Sequence, residues 1–211
     1  MRCVRRTGVF ACGLCFALPL LAVEGPRITF SKSFPGSVPA YVEVTLDKAG
    51  TAEYKEDLKD DNPLKFQLKE DETTTIFGLA DRLDRFAHPL ESGLKVAFMG
   101  MKTFRYDPGD GASHEVKFNY SEDPEAKTLL DWFERIAETE RALIDLERAV
   151  RFDKLGVHDA ILRIEVTRNQ KRLIAQSQFL PLLDRVVKNE SYLHMARERA
   201  AALAESIRAP Q

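Results

Sequence analysis

Residues 40–55, AYVEVTLDKAGTAEYK, decide the fold of this 211-residue chain. Apolar and polar residues alternate over positions 42–46, which is the period-two pattern of a strand with one buried face. The segment DKAG at 47–50 is a turn signal, and the alternation resumes over 51–55. The sequence therefore predicts a β-hairpin over residues 39–55.

Alternating runs also flank this hairpin, which predicts a larger sheet. Between two of them, Asp71 or Thr73 can cap a helix whose apolar residues recur at helical spacing from 76 to 86. A strong turn sequence, DPGDG at 107–111, separates the last two runs. We predict an antiparallel sheet with one helix over residues 23–122. The remaining predicted strands are 27–32, 64–68, 95–99, 103–106 and 114–120.

The second half of the chain has the apolar spacing of helices. Asp123 is a suitable N-cap, Pro124 suits the first helical position, and an apolar stripe continues to Val150. This predicts a long helix over 123–153 that packs on the open face of the sheet. The fold class is α+β: an antiparallel sheet with a packed helix, followed by an all-helical C-terminal tail. That tail, a helical hairpin or bundle over 154–211, is predicted to have helices at 158–177, from about 179 with Pro181 in the first turn, and at about 193–207.

The first 22 residues match a secretory signal peptide. Arg2, Arg5 and Arg6 precede an uncharged apolar run over residues 9–22. A helix of that length is too short to cross about 30 Å of hydrocarbon, so the run favours an export signal over a retained anchor. We predict cleavage between Ala22 and Val23, and a mature protein that is secreted or periplasmic.

All three cysteines, Cys3, Cys12 and Cys15, lie within this leader. The mature chain is then free of cysteine, so it has neither a disulfide nor a thiolate metal ligand. Loss of the leader's arginines leaves 28 basic residues against 33 acids, a net charge of −5. This mild acidity predicts no nucleic-acid partner, and membrane contact is expected only through the uncleaved leader.

Five residues of the hairpin region form a spaced motif of turn glycines, a proline and tyrosines. They are Gly36, Pro39, Tyr41, Gly50 and Tyr54. This motif resembles that of an uncharacterised exported bacterial domain-of-unknown-function family, whose signature reads Cys-x-Gly-x-Cys-Pro-x-Tyr. Phe34 and Val38 stand where that family has its cysteines, and an apolar contact between them would replace a local clip. The resemblance implies a fold and export but no activity, and turn formation and sheet packing also explain the same residues.

No local catalytic or metal motif is present in the sequence. The four histidines, His88, His114, His158 and His194, are too far apart in sequence to form a zinc motif such as His-Glu-x-x-His. Nucleophile elbows, phosphate-binding loops and dinucleotide fingerprints are also absent. We therefore assign no catalytic, cofactor-binding or metal residues, expect no cofactor, and predict that the protein is not an enzyme. The alternative is a hydrolase-type enzyme whose site is assembled from dispersed His, Asp and Glu residues.

A set of aromatic residues in the last two predicted strands is the candidate binding surface. If these residues pair across the turn at 107–111, one face of the sheet becomes an aromatic platform. A helix carrying Trp132 and Phe133 would turn that platform into core, whereas a bare platform would bind a ligand or partner. The set is Phe104, Tyr106, Phe118 and Tyr120.

Strong packing periodicity without catalytic motifs predicts a non-catalytic binding or structural module of the cell envelope. Its expected partner is another envelope protein. A scaffold in which the helical tail carries the interaction is a third possibility. That possibility predicts that deletion from about residue 155 leaves a folded sheet domain but abolishes capture of the partner.

Overall fold

The computed structural model describes residues 25–209, and within them it has an α+β fold. The predicted leader of residues 1–22, with its cleavage site at Ala22 and Val23, lies outside the described residues. The strands are β1 (Arg27–Ser33), β2 (Tyr41–Asp47), β3 (Thr51–Lys55), β4 (Leu64–Gln67), β5 (Met101–Asp107) and β6 (His114–Phe118). The helices are α1 (Glu70–Arg82), α2 (Pro124–Phe152), α3 (Val157–Asn169), α4 (Leu180–Lys188) and α5 (His194–Arg208).

The strands form one antiparallel sheet in the order β4-β3-β2-β1-β5-β6. The predicted hairpin over 39–55 is confirmed, because β2 pairs with β3 and places Val44 opposite Tyr54. Strands β5 and β6 form the second predicted hairpin. The first-half strands thus follow the alternation of the sequence closely, with one exception described below.

One face of the sheet is buried and the other faces solvent. The buried face carries Ile28, Phe30, Val44 and Leu46, which are at most 1% exposed. Helices α1 and α2 supply the opposite side of this core, where Phe133 of α2 stacks on Phe30 with ring centroids 5.1 Å apart. The solvent face is polar, as expected for an antiparallel sheet covered on one side.

Helix α2 joins two hydrophobic cores. Asp123 caps it as predicted, since its Oδ1 accepts hydrogen bonds from the backbone N–H groups of Glu125 and Ala126 at 2.8 and 3.1 Å. The first half of α2 packs on the sheet through residues 126–136, whereas residues 143–150 pack in a second core with α3, α4 and α5. The predicted boundary at residue 154 therefore does not separate the two cores, because α2 belongs to both.

The chain after α3 returns to the first core. Helix α3 ends at Asn169 rather than at the predicted residue 177, because Lys171 and Ala175 adopt positive φ values of 59° and 46° that break the helix. The turn places Ile174, 1% exposed, among the residues of the first core. The helical tail therefore docks on the sheet unit, which the sequence pattern left open.

The predicted strand at 95–99 is wrong. Residues 91–100 have no regular structure, and Val96 and Phe98 are 39% and 52% exposed. The side chain of Asn119, and not pairing with another strand, holds this segment. Its Oδ1 accepts from the Met99 N–H at 2.8 Å, and its Nδ2 donates to the Ala97 carbonyl at 3.0 Å. Alternating apolar residues here face solvent, so the period-two pattern does not mark a paired strand.

None of the helices in residues 25–209 has both the length and the apolar content needed to cross a bilayer.

The two motif glycines make a matched test of the turns. Gly50 has a φ of +83°, and a Cβ there would lie 2.9 Å from the Leu68 carbonyl oxygen and 2.9 Å from Thr73 Oγ1. Gly36 has a φ of +90°, but a Cβ there would meet nothing within 4 Å. We expect Gly50→Ala to lower the free energy of unfolding by about 2–3 kcal/mol, and Gly36→Ala by about 1 kcal/mol. Urea denaturation of both variants checks this, and equal losses would show that the contacts around Gly50 do not matter.

Candidate functional site

The residues of the sequence motif lie in three different environments. Pro39 and Tyr54 line a groove beside α2, with the Val38–Pro39 peptide bond in the cis form. Tyr41 lies instead on the solvent face, where its hydroxyl donates to Glu43. Gly36 and Gly50 serve turns, as described above. The motif therefore contributes both to a cavity and to the stability of the hairpin.

The two residues at the family's cysteine positions do not replace a clip. Val38 is 86% exposed, so it buries little surface against Phe34. Phe34 packs instead against Phe98 in an edge-to-face arrangement with ring centroids 5.8 Å apart. The predicted contact between Phe34 and Val38 is replaced by one between Phe34 and the irregular segment at 91–100.

The predicted aromatic binding surface is mostly core. Phe104, Tyr106 and Phe118 are at most 3% exposed, and only Tyr120 is half-buried. The ring centroid of Phe104 lies 5.9 Å from that of Phe133 in α2 and 5.2 Å from that of Phe86. Both the helix and the turn after α1 therefore cover Phe104. In the strand register Lys102 lies opposite Phe118 and Val116 lies opposite Phe104. The rings of Phe104 and Phe118 still contact each other diagonally across the hairpin, with centroids 5.3 Å apart. Three of the four side chains are therefore covered, so the set does not form an open aromatic platform.

A groove lies between the sheet and one flank of α2, and we call it the α2 groove. Its volume is about 380 Å³. The buried rings of Phe30 and Tyr54 contribute to its walls, together with Ala137 of α2. The full lining is Phe30, Lys32, Phe34, Ser37, Pro39, Ala40, Val42, Tyr54, Glu134, Ala137, Glu138 and Arg141.

Charged residues of the α2 groove are held in ion pairs. Lys32 Nζ lies 2.9 Å from Glu134 Oε1, and Arg141 Nη1 lies 2.8 Å from Glu56 Oε1. Glu138 pairs with Arg172, with Nε 2.7 Å from Oε2. Burial raises the pKa of Tyr54, and its hydroxyl donates to Glu56 at 2.9 Å. The groove thus presents mainly apolar surface, and its charged side chains are already in ion pairs.

A smaller cavity of about 260 Å³ continues along α2, and we call it the lysine pocket. It shares Lys32 and Glu134 with the α2 groove. Its deepest cation is Lys102, which is 4% exposed and donates to the main-chain oxygen of Asn119 at 2.6 Å. Burial and then the neighbouring Lys32 lower the pKa of Lys102. The full lining is Lys32, Met99, Lys102, Phe118, Asn119, Tyr120, Ser121, Ala126, Lys127, Leu130 and Glu134.

Two segments that supply residues to the cavity linings, 34–38 and 94–101, carry exposed large apolar side chains, and we call these side chains the apolar rim. Phe34 and Met99 belong both to the rim and to the cavity linings. Exposed apolar side chains that cluster beside a cavity mark interaction sites more often than scattered ones do. The rim consists of Phe34, Val38, Leu94, Val96, Phe98, Met99 and Met101, which are 36–86% exposed.

Two histidines outside the cavities, His158 and His194, contact neighbouring charged side chains. His158 lies beside one carboxylate, Asp159 at 3.2 Å, and accepts from the guanidinium of Arg199 at 3.3 Å. His194 pairs with Glu198 one turn along α5 at 3.1 Å. Within residues 25–209, no three His, Cys, Asp or Glu side chains are grouped so that they could hold a metal ion.

Sequence reasoning missed the lysine pocket, although a signal was present. In β1 the inward positions are Ile28, Phe30 and Lys32, and in β5 the inward series begins with Lys102. A lysine in register with an apolar strand face is an anomaly that marks either an edge or a site.

Fold and cavities together define an α+β protein with a ligand-sized groove beside its longest helix. Comparison with models of known protein families gives no match to this chain. Comparison with curated protein sequences also gives no match. The family resemblance of residues 34–54 accordingly stays a prediction.

Proposed function

We propose that this protein is an exported, non-catalytic binding module of the cell envelope that holds an apolar ligand in the α2 groove. The observation that carries the proposal is the groove itself, about 380 Å³ with a mainly apolar lining and charges that are already paired. Small-molecule sites are typically apolar clefts of about 300–1,000 Å³ with a few polar groups. The export part of the proposal is supported by the basic and apolar leader at residues 1–22.

The pairing of charges favours an apolar ligand over an ion in this groove. Nη1 of Arg141 donates to both oxygens of Glu56 at 2.8 and 2.9 Å, so a ligand anion would have to displace this carboxylate. Phe34, Val42 and Ala137 of the lining, in contrast, keep accessible apolar surface that packs against apolar groups without such a penalty.

A partner protein of the cell envelope is the second candidate. The observation that favours it is the apolar rim, in which Val38 and Phe98 are 86% and 52% exposed. Protein interfaces bury apolar and aromatic groups of this kind at their centres. In this case the rim rather than the groove would be the site.

A groove-filling substitution tests the first candidate. Ala137 lines the groove, and we expect Ala137→Phe to fill it and to abolish ligand binding. Thr128→Phe is the matched control, because it adds the same ring at an exposed position of α2 outside both cavities. The full-length proteins are expressed with a C-terminal tag, recovered from the periplasm of a bacterial host, and weighed by mass spectrometry under native and denaturing conditions.

The mass under native conditions tests ligand binding, and the mass under denaturing conditions tests export. Under native conditions we expect a small-molecule adduct on the wild-type and Thr128→Phe proteins but not on Ala137→Phe. Under denaturing conditions we expect a chain that begins at Val23. An adduct that survives Ala137→Phe would overturn the groove as the site, and a protein adduct in its place would favour the rim. A mass that includes Met1 would refute export.

A further inference from the structure

The last row of the buried sheet face contains two adjacent lysines. The register places Lys32 of β1 beside Lys102 of β5, with Val42 and Phe118 on either side. Like charges on neighbouring strands destabilise a sheet, and a buried ammonium requires an opposite charge or several acceptors. Lys102 is 96% buried, so exposure to water does not offset this cost.

The described residues leave this pair short of negative charge. Glu134 is the one carboxylate in the lining of the lysine pocket, and it bonds Lys32 at 2.9 Å. Within residues 25–209, the ammonium group of Lys102 has one hydrogen-bond acceptor, the Asn119 carbonyl at 2.6 Å, although it carries three N–H donors. Lys127 adds a third cation at the exposed side, over the ring of Tyr120 at 5.3 Å. Glu91, which accepts from the Asn119 N–H at 2.6 Å, is a second carboxylate close to Lys102. Three cations thus face two carboxylates in a chain whose total charge is −2.

Much of the remaining wall of the pocket is apolar, beside the polar groups of Asn119, Tyr120 and Ser121. Met99, Phe118 and Leu130 line it beside the lysines, and the pocket meets the α2 groove at Lys32. The side chains of the Lys32–Glu134 pair are 31% and 36% exposed. The pair therefore lies at the surface and does not form a buried wall between the two cavities. A ligand that satisfies both cavities has a negatively charged end and an apolar body.

We infer that the lysine pocket binds the carboxylate of an apolar organic acid, whose apolar body lies in the α2 groove. This inference rests on the proposed function of the groove and names the chemical class of its ligand. The carboxylate accepts hydrogen bonds from Lys102 and Lys32 and supplies the missing negative charge. A free small acid fits better than a protein chain, because the adjoining cavities of about 380 and 260 Å³ together have the size of one small-molecule site.

A head-group series at constant chain length tests the inference. Decanoate, decanol and decyltrimethylammonium are titrated into the mature protein by isothermal calorimetry at low ionic strength, below their micelle concentrations. We expect decanoate to bind roughly 10- to 100-fold more tightly than decanol, since charge-assisted hydrogen bonds are lost with the alcohol. Decyltrimethylammonium is expected to bind most weakly.

Substitution of the buried lysine supplies the second arm. Lys102→Met keeps an unbranched side chain of similar length, and we expect it to bind decanoate and decanol with equal affinity. Lys117→Met is the control, because Lys117 lies on the solvent-exposed side of β6 and pairs with Glu115 at 3.0 Å. Thermal unfolding of each variant verifies that it is folded.

The outcomes separate the head-group inference from the groove. Equal binding of all three amphiphiles, abolished by Ala137→Phe, would overturn the carboxylate inference and leave the groove as an apolar site. Undiminished carboxylate preference in Lys102→Met would also overturn it. Absence of binding by every amphiphile would overturn the inference, while the native mass of the periplasmic protein still decides the proposed function. Binding of a peptide with a free C-terminus in preference to decanoate would replace the small acid by a protein partner.

Discussion

Replacing Glu140 by glutamine is expected to raise the free energy of unfolding by about 2 kcal/mol at pH 8. Glu140 lies in the middle of α2 and is 0% exposed. Its Oε1 accepts from Gln178 Nε2 at 2.7 Å, and its Oε2 has no partner among the described residues. Burial raises the pKa of Glu140 to about 7 from the ordinary 4.5. At pH 8 the folded protein therefore contains a buried, half-satisfied carboxylate, which is costly.

The sign of the pH dependence follows from the direction of this shift. Because the pKa of Glu140 is higher in the folded state, the folded protein binds a proton more tightly than the unfolded chain between pH 4.5 and 7. The contribution of Glu140 to stability is therefore complete below pH 4.5, falls as the pH rises to about 7, and then stays constant. The total loss is about 3 kcal/mol. The amide that replaces the carboxylate has an NH2 group without a partner, which costs about 1 kcal/mol. The gain from Glu140→Gln should thus vanish near pH 5.

Urea denaturation of the wild-type and variant proteins from pH 5 to pH 9 measures this difference. Glu147→Gln is the control, since Glu147 lies on the same helix but its side chain is 40% exposed and pairs with Arg151. The difference between wild type and Glu147→Gln should be small at every pH. A flat difference for Glu140→Gln would show that Glu140 keeps an ordinary pKa in the folded protein. Tyr54 interacts with Glu140, but burial raises the pKa of Tyr54 well above its ordinary value of 10.0, so Tyr54 stays uncharged from pH 5 to pH 9 and adds no pH dependence.

The sequence predicted those parts of the fold that local chemistry determines. The hairpin of β2 and β3 follows from alternation and the turn at 47–50, and α2 begins at Pro124 because Asp123 supplies its cap. The α+β class follows from these elements. Each depends on residues close together in the chain, where spacing alone carries the information.

Tertiary contacts decide the features that the sequence did not predict. Residues 95–99 alternate like a strand, yet Asn119 holds the neighbouring backbone with its side chain and no strand ladder forms. The turn after α3 brings Ile174 into the first core, where its N–H donates to Thr139, a residue 35 positions earlier in the chain. The candidate site shows the same limit, because Lys32 and Lys102 become neighbours only through the pairing of β1 with β5.

Deletion of the helical tail is expected to unfold the sheet unit as well. A chain that ends at residue 153 leaves Leu143, Leu146 and Val150 of α2 without the second core, and it removes Ile174 from the first core. Full burial of each such side chain contributes about 1.5–3 kcal/mol, so the four together approach the whole stability of a typical domain, about 5–15 kcal/mol. The scaffold hypothesis, in which the sheet folds without the tail, predicts the opposite.

Complementation distinguishes a shared core from a simple effect of chain length. We expect residues 23–153 alone to lack a cooperative thermal transition, and coexpression with residues 154–211 to restore one, because the second fragment returns Ile174 and the helices that cover α2. Arg172 supports the reassembly, since it bonds Asp131 at 2.8 Å and Glu138 at 2.7 Å across the junction. In the complemented protein, Arg172→Ala should lower the recovery of the complex. A cooperative transition in residues 23–153 alone would show instead that the sheet and the first half of α2 are sufficient, and the tail would then be free to act as a separate interaction unit.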